Sequence, residues 1–119
     1  HGHNAWHSSQ GILALISAIR TAPIEPGMPV PPILVVAPPA IQLPKGPIAP
    51  KFEGGEKKCL GLSAAYRKVC EEAGCHFFDA GSIITSSAVD GVHLDEEQHL
   101  TLGSELSKYV RSLLHENVL

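Results

Sequence analysis

The tetrapeptide Asp90-Gly91-Val92-His93 sets a carboxylate three residues before an imidazole, with a glycine between them. On a tight turn such a carboxylate accepts the Nδ1 proton and holds the ring, leaving Nε2 free as a general base. The spacing alone is common. With 7 His and 12 Asp and Glu in 119 residues, roughly one acid-x-x-His arises by chance, and Glu96/His99 is such a case. Taken alone, Asp90/His93 reads either as a catalytic pair or as an ordinary turn carrying an exposed histidine. Gly2-His3-Asn4 is a second signal: a side-chain amide at a strand end can donate to a developing oxyanion, and a nearby Gly lets a backbone N–H approach the same oxygen. Its plain reading is a turn or a chain terminus. His1-Gly2-His3 with a free amine also offers nitrogens suited to square-planar Cu(II) or Ni(II), with His7 nearby. A tag or tail is the ordinary reading of such a terminus, and no metal site or cofactor is expected. Cys59, Cys70 and Cys75 cannot all pair within one molecule. The Cys70/Cys75 spacing fits no zinc or redox pattern, so buried, reduced thiols are expected. A reducing, cytoplasmic setting is mildly favoured.

The elements that must position these residues are legible from periodicity. Ser8 and Ser9 are N-cap candidates for a helix bearing Ile12, Leu13, Leu15, Ile16 and Ile19, which should end near Arg20 before Pro23. The proline-rich segment 22–32 is an extended linker. Ile33-Leu34-Val35-Val36-Ala37 has the pattern of a strand buried on both faces, and Pro38-Pro39 stop it. A loop rich in Pro and Gly then runs to about Gly55. From about Glu56 to Ala73 a helix presents Leu62, Tyr66, Val69, Cys70 and Ala73 on one face, and Gly74 is its stop. His76 to Ala80 reads as a second strand. The last helix opens on a capping box at Asp95 and Gln98 and carries a stripe of Leu102, Leu106, Tyr109, Val110 and Leu113. Glu96/His99 fall in its first turn, as a solvated face. Alternating helix and strand predicts an α/β fold, a parallel sheet flanked by helices. Ligands of such sheets sit beyond the carboxyl ends of the strands. Asn4, the loop after Ala37 and the Asp90/His93 turn all fall there.

Composition excludes several classes. The length suits one small domain, with 44% apolar and 18% charged residues and a formal net charge of −3. Acids and bases are mixed and no basic stripe is present, so a nucleic-acid partner is not expected. The longest apolar run, Ile33 to Ala37, is far too short to span a bilayer. No membrane partner is expected, and no signal segment opens the sequence.

Together these residues resemble the SGNH (GDSL-type) serine hydrolases. Gly2-His3-Asn4 matches the family's G-x-N-D block, and Asp90-Gly91-Val92-His93 its D-x-x-H block. Within the superfamily the likeness is nearest to the bacterial arylesterase/acyltransferase group. Ile33-Leu34-Val35-Val36-Ala37-Pro38-Pro39, Phe52-Glu53-Gly54-Gly55-Glu56-Lys57, Phe77-Phe78-Asp79-Ala80-Gly81-Ser82 and Val89-Asp90-Gly91-Val92-His93 carry it, in the family's order. The G-D-S block with the nucleophilic serine and the block with the oxyanion-hole glycine are absent, and Ala5 stands where the family has Asp. Ser8 and Ser9 lie on the wrong segment to be that nucleophile.

The resemblance implies a flavodoxin-like three-layer α/β/α fold lacking its N-terminal strands, with residues 1–119 as the C-terminal part of a single SGNH domain. It implies acyl transfer from a small ester to water or an alcohol. Asp90 and His93 are then the triad acid and base, Asn4 an oxyanion-hole donor, and Pro38, Pro39 and Ala40 part of the substrate pocket. The serine must come from a missing segment or a companion chain. Alone, the chain is expected to be nearly inactive and to fold poorly, with an uncovered edge and face. Relatives in the group assemble, so a homo-oligomer is expected.

Overall fold

The computed structural model describes residues 4–22, 26–52, 54–55, 61–87 and 89–118. Among the described residues three α-helices and two strands alternate along the chain. Helix α1 spans Ala5–Thr21, strand β1 Leu34–Ala37, helix α2 Leu62–Ala73, strand β2 His76–Asp79 and helix α3 Glu96–Val118. Short 3-10 helices lie at Gly46–Phe52 and Ala80–Ser82. The strands pair in parallel, Leu34 opposite His76 and Ala37 opposite Asp79, and α2 makes the crossover.

Strand alternation divides the side chains between two helical layers. On one face Val35 joins Ile16 of α1 and Val69 and Cys70 of α2 in the buried core, with Ile12, Tyr66 and Phe77 packed around them. The Arg67 guanidinium of α2 stacks over the Phe77 ring, 4.8 Å from its centroid. On the opposite face Phe78 meets Tyr109 of α3, their centroids 5.4 Å apart. Leu34, Val110 and Leu113 line a small cleft on that side. The architecture is therefore three-layered, with α1 and α2 on one side of the sheet and α3 on the other.

Local signals account for most boundaries. Gly74 ends α2 in the left-handed region at φ 71, a conformation costly for any residue bearing a Cβ. Leu102, Leu106, Tyr109, Val110 and Leu113 are all half-buried, as the stripe on α3 requires. Gln98 Oε1, expected at the cap of α3, accepts the Thr85 N–H at 3.0 Å and ties the helix to the preceding loop.

Two expectations give way. The N-cap of α1 is Asn4, whose side chain accepts the His7 N–H at 3.0 Å while His7 Nδ1 accepts the Asn4 N–H at 3.2 Å. Ser8 and Ser9 lie inside the helix, and Ser9 Oγ donates to the Trp6 carbonyl. Asn outcompetes them because its short amide reaches the free N–H groups of the first turn. The strand expected to be buried on both faces is covered fully on one, since Val36 remains 36% exposed on the other.

The fold is also open for its length. The radius of gyration is 16.3 Å, against about 13–14 Å for a compact chain of this size. The accessible surface is 8077 Å², against roughly 6,200 Å² expected from mass.

Candidate active site

The turn carrying Asp90 and His93 is clamped on both sides by backbone. Within it, the Gly91 N–H donates to Ser87 O at 2.7 Å and the Ser87 N–H donates to His93 O at 2.6 Å. From the loop after β1, the Gln42 N–H donates to Gly91 O at 2.8 Å and the Lys45 N–H to Asp90 O at 2.9 Å. Buried Ser86 joins the two segments: its hydroxyl donates to Ala40 O, and its carbonyl accepts from Gln42 Nε2 at 2.9 Å. Gly91 has φ 79, and a Cβ there would stand 2.5 Å from Leu43 O. Only glycine fits so close an approach in that conformation.

This clamp presents the side chains of Asp90 and His93. Asp90 Oδ1 accepts the N–H groups of Val92 at 2.9 Å and His93 at 3.0 Å, and Oδ2 lies 2.8 Å from His93 Nδ1. The Val92 N–H foremost, then the His93 ring and the His93 N–H, hold the Asp90 carboxyl well below its ordinary range, at about 2. At neutral pH Asp90 is thus ionised and can only accept. A neutral His93 must then carry its proton on Nδ1, which leaves the Nε2 lone pair available. The His93 side chain is 65% exposed and Asp90's 25%, so the ring is steadied on one edge and open on the other.

The remaining predicted residues fall in two places. Pro38 and Ala40 line a cleft of about 390 Å³ together with Ser63 and Ala64 of α2, Asp79 and Gly81. Pro38 and Pro39 line a second, apolar cleft of about 320 Å³ with Val36, Ile41, Leu102 and the two neighbours of His93, Val92 and Leu94. The proline pair therefore stands between the clefts at the carboxyl end of β1. Asn4 is exposed at the start of α1, and its Oδ1 carries the capping bond, which leaves the Nδ2 protons as its other hydrogen-bonding capacity. Glu96 and His99 are exposed in the first turn of α3, as read from sequence.

His1, Gly2 and His3, the core of the copper or nickel alternative, lie outside the described residues. Among the described residues no group of three or more His, Cys, Asp or Glu could hold a metal, and no helix is long and apolar enough to cross a membrane. Gln42, Ser86 and Ser87, which brace the turn, carried no sequence signal. Two small hydroxyl residues before a D-G turn are too common to be marked.

A three-layer α/β/α domain with an Asp–His turn beyond its parallel strands is the architecture of the SGNH-type hydrolases. The chain has this fold and is similar to aryl esterase and carbohydrate acetylesterase structures. It is 34% identical to the native aryl esterase of M. smegmatis, with a TM-score of 0.85, over 94% of this chain and 54% of that one. It is 32% identical to a carbohydrate acetylesterase family member from Sinorhizobium meliloti, with a TM-score of 0.85 and the same coverage of 94% and 54%. The chain thus spans about half the length of the structures it matches. No protein-family profile matches it, and no curated protein sequence does.

Proposed function

We propose that this chain is the C-terminal, acid–base half of a serine esterase or acyltransferase of small esters, its nucleophile supplied by a missing N-terminal segment or a companion chain. The 2.8 Å bond between Asp90 Oδ2 and His93 Nδ1, with the rest of the ring exposed, carries this reading. In the reaction Nε2 accepts the proton of an incoming serine as that serine attacks the ester carbonyl. Ionised Asp90 stabilises the imidazolium that results. The Nδ2 protons of Asn4 donate to the tetrahedral oxyanion. His93 then returns its proton to the departing alcohol, and water or another alcohol takes the acyl group. The apolar cleft beside Pro39, Val92 and Leu94 suits the acyl chain.

Surface area supports a complementary piece. The chain exposes about 1,900 Å² beyond that of a closed domain, more than twice the roughly 800 Å² each partner buries in a standard interface. The exposed edge of β1 and the uncovered Val36 are where a further parallel strand would add.

The test is reconstitution. Mixing this chain with the portion of the M. smegmatis aryl esterase that it does not match should restore hydrolysis of an activated acetate ester and labelling by a serine-directed phosphonate. His93→Ala should then lower the restored rate by roughly a thousandfold or more. Full hydrolysis by the His93→Ala mixture would end the proposal, as would rapid hydrolysis by this chain alone.

A further inference from the structure

Cys70 and Cys75 are five residues apart, a spacing that puts two side chains on different sides of a continuing helix. Here the helix does not continue. Gly74 turns left-handed, and the N–H groups of Gly74 and Cys75 both return to the Cys70 carbonyl, that of Cys75 at 2.9 Å. A six-to-one closure of this kind brings the first and last residues of the turn close together. Both sulfurs pack into the same apolar cluster. Burial pushes the Cys70 thiol up from its ordinary value, and the neighbouring Cys75 sulfur pushes it further.

The two thiols differ in surroundings. Cys70 is 1% exposed, whereas Cys75 is half-buried. Arg20 Nη2 donates to Cys75 Sγ at 3.4 Å, and the same guanidinium donates to the carbonyls of Ala73 and Gly74. Two backbone acceptors therefore hold a permanent cation beside the more accessible sulfur.

We propose that this turn is a dithiol oxidation site at which Cys75 reacts with a hydroperoxide and Cys70 resolves the product to an intrachain disulfide. In the first step the Cys75 sulfur attacks a peroxide oxygen as its S–H proton passes to the leaving oxygen. The O–O bond breaks, the leaving oxygen departs as water or alcohol, and Cys75 becomes a sulfenic acid. In the second step the Cys70 sulfur attacks Cys75 Sγ, the S–O bond breaks, and hydroxide leaves as water with the Cys70 proton. Two thiols are oxidised and one peroxide is reduced. The disulfide needs Cα atoms about 4.4–6.8 Å apart, the reach that a closed six-residue turn provides. The product fastens the end of α2 to the residue before β2 and leaves the Asp90/His93 turn untouched, so the site stands independently of the esterase reading.

Hydrogen peroxide on the full chain, followed by non-reducing peptide mapping after cleavage at Arg67, Lys68, Glu71 and Glu72, tests this. The folded chain should lose two hydrogens in mass, with Cys70 joined to Cys75 and Cys59 left reduced. In urea, pairings with Cys59 should appear. Cys70→Ser should leave a sulfenic acid at Cys75 that dimedone captures. Pairing of Cys59 in the folded chain, first reaction at Cys70, or a sulfinic acid at Cys75 without a disulfide would each overturn the proposal. The unsubstituted chain decides the pairing by itself, so the disulfide remains testable if a variant fails to fold.

Discussion

At the scale of single residues, Asp90 has two separable tasks. Its Oδ1 organises the turn through two backbone N–H groups, and its Oδ2 orients the His93 ring. Asp90→Asn keeps an acceptor for the turn but can offer the ring an N–H2 group, which favours the wrong tautomer. In the reconstituted esterase it should lower kcat by roughly 10³–10⁴-fold, with the circular dichroism spectrum unchanged. Asp90 also makes stability depend on pH. Folding lowers its pKa from 3.8 to about 2, so its contribution is complete above about pH 4 and is lost as pH falls through 2. The gap in urea midpoint between the parent and Asp90→Ala should therefore be constant near neutrality and close between about pH 4 and 2. Glycines give a further contrast. Gly91→Ala meets the Leu43 carbonyl, whereas Gly74→Ala meets nothing within 4 Å and strains only its own φ of 71. Urea unfolding should show a loss of about 1 kcal/mol for Gly74→Ala and a clearly larger one for Gly91→Ala.

At the scale of elements, Asn4 caps a helix and in the proposed reaction would also donate to the oxyanion. Its capping bond uses the side-chain oxygen, while an oxyanion contact would use the nitrogen. Asn4→Asp keeps the cap and removes the donor. It should leave the thermal midpoint within a degree or two yet lower the reconstituted kcat by roughly 10²–10³-fold. Asn4→Ala should in addition destabilise the helix by about 1 kcal/mol. Equal activity for parent and Asn4→Asp would remove Asn4 from the reaction. The same residue marks the limit of reading elements from sequence. Strands and helical faces were legible because their periods are local: Val69, Cys70 and Ala73 declare a face, and Pro38-Pro39 declare a stop. The Asp90–His93 contact was legible because carboxylate, glycine and imidazole lie within four residues. What escaped is what joins distant segments. The bonds from Gln42 and Lys45 to the turn at 90–91 span more than forty residues and leave no periodic trace. The Cys70/Cys75 contact escaped because it follows a turn geometry and not a helical period. Ser8 and Ser9 read as caps by residue type alone, and the better cap lay just upstream.

At the scale of the whole molecule, the decisive quantity is surface. Leu15 is 61% and Ile19 44% exposed on α1, and Val36 is exposed on β1. Covering such groups contributes about 25 cal/mol per Å² removed from water. Half of an excess of about 1,900 Å² would then be worth more than 20 kcal/mol gross, before the ordering costs that consume most of such gains. A net gain of even a few kcal/mol is a large fraction of a small domain's stability. The chain alone should therefore bind a hydrophobic dye and unfold at low urea with a shallow slope. Adding the complementary portion of the aryl esterase should abolish dye binding, raise the midpoint and steepen the slope, because the slope follows the area exposed on unfolding. Dye binding and slope unchanged by the complement, with the chain steeply cooperative on its own, would mean that the open surface belongs to a domain already closed.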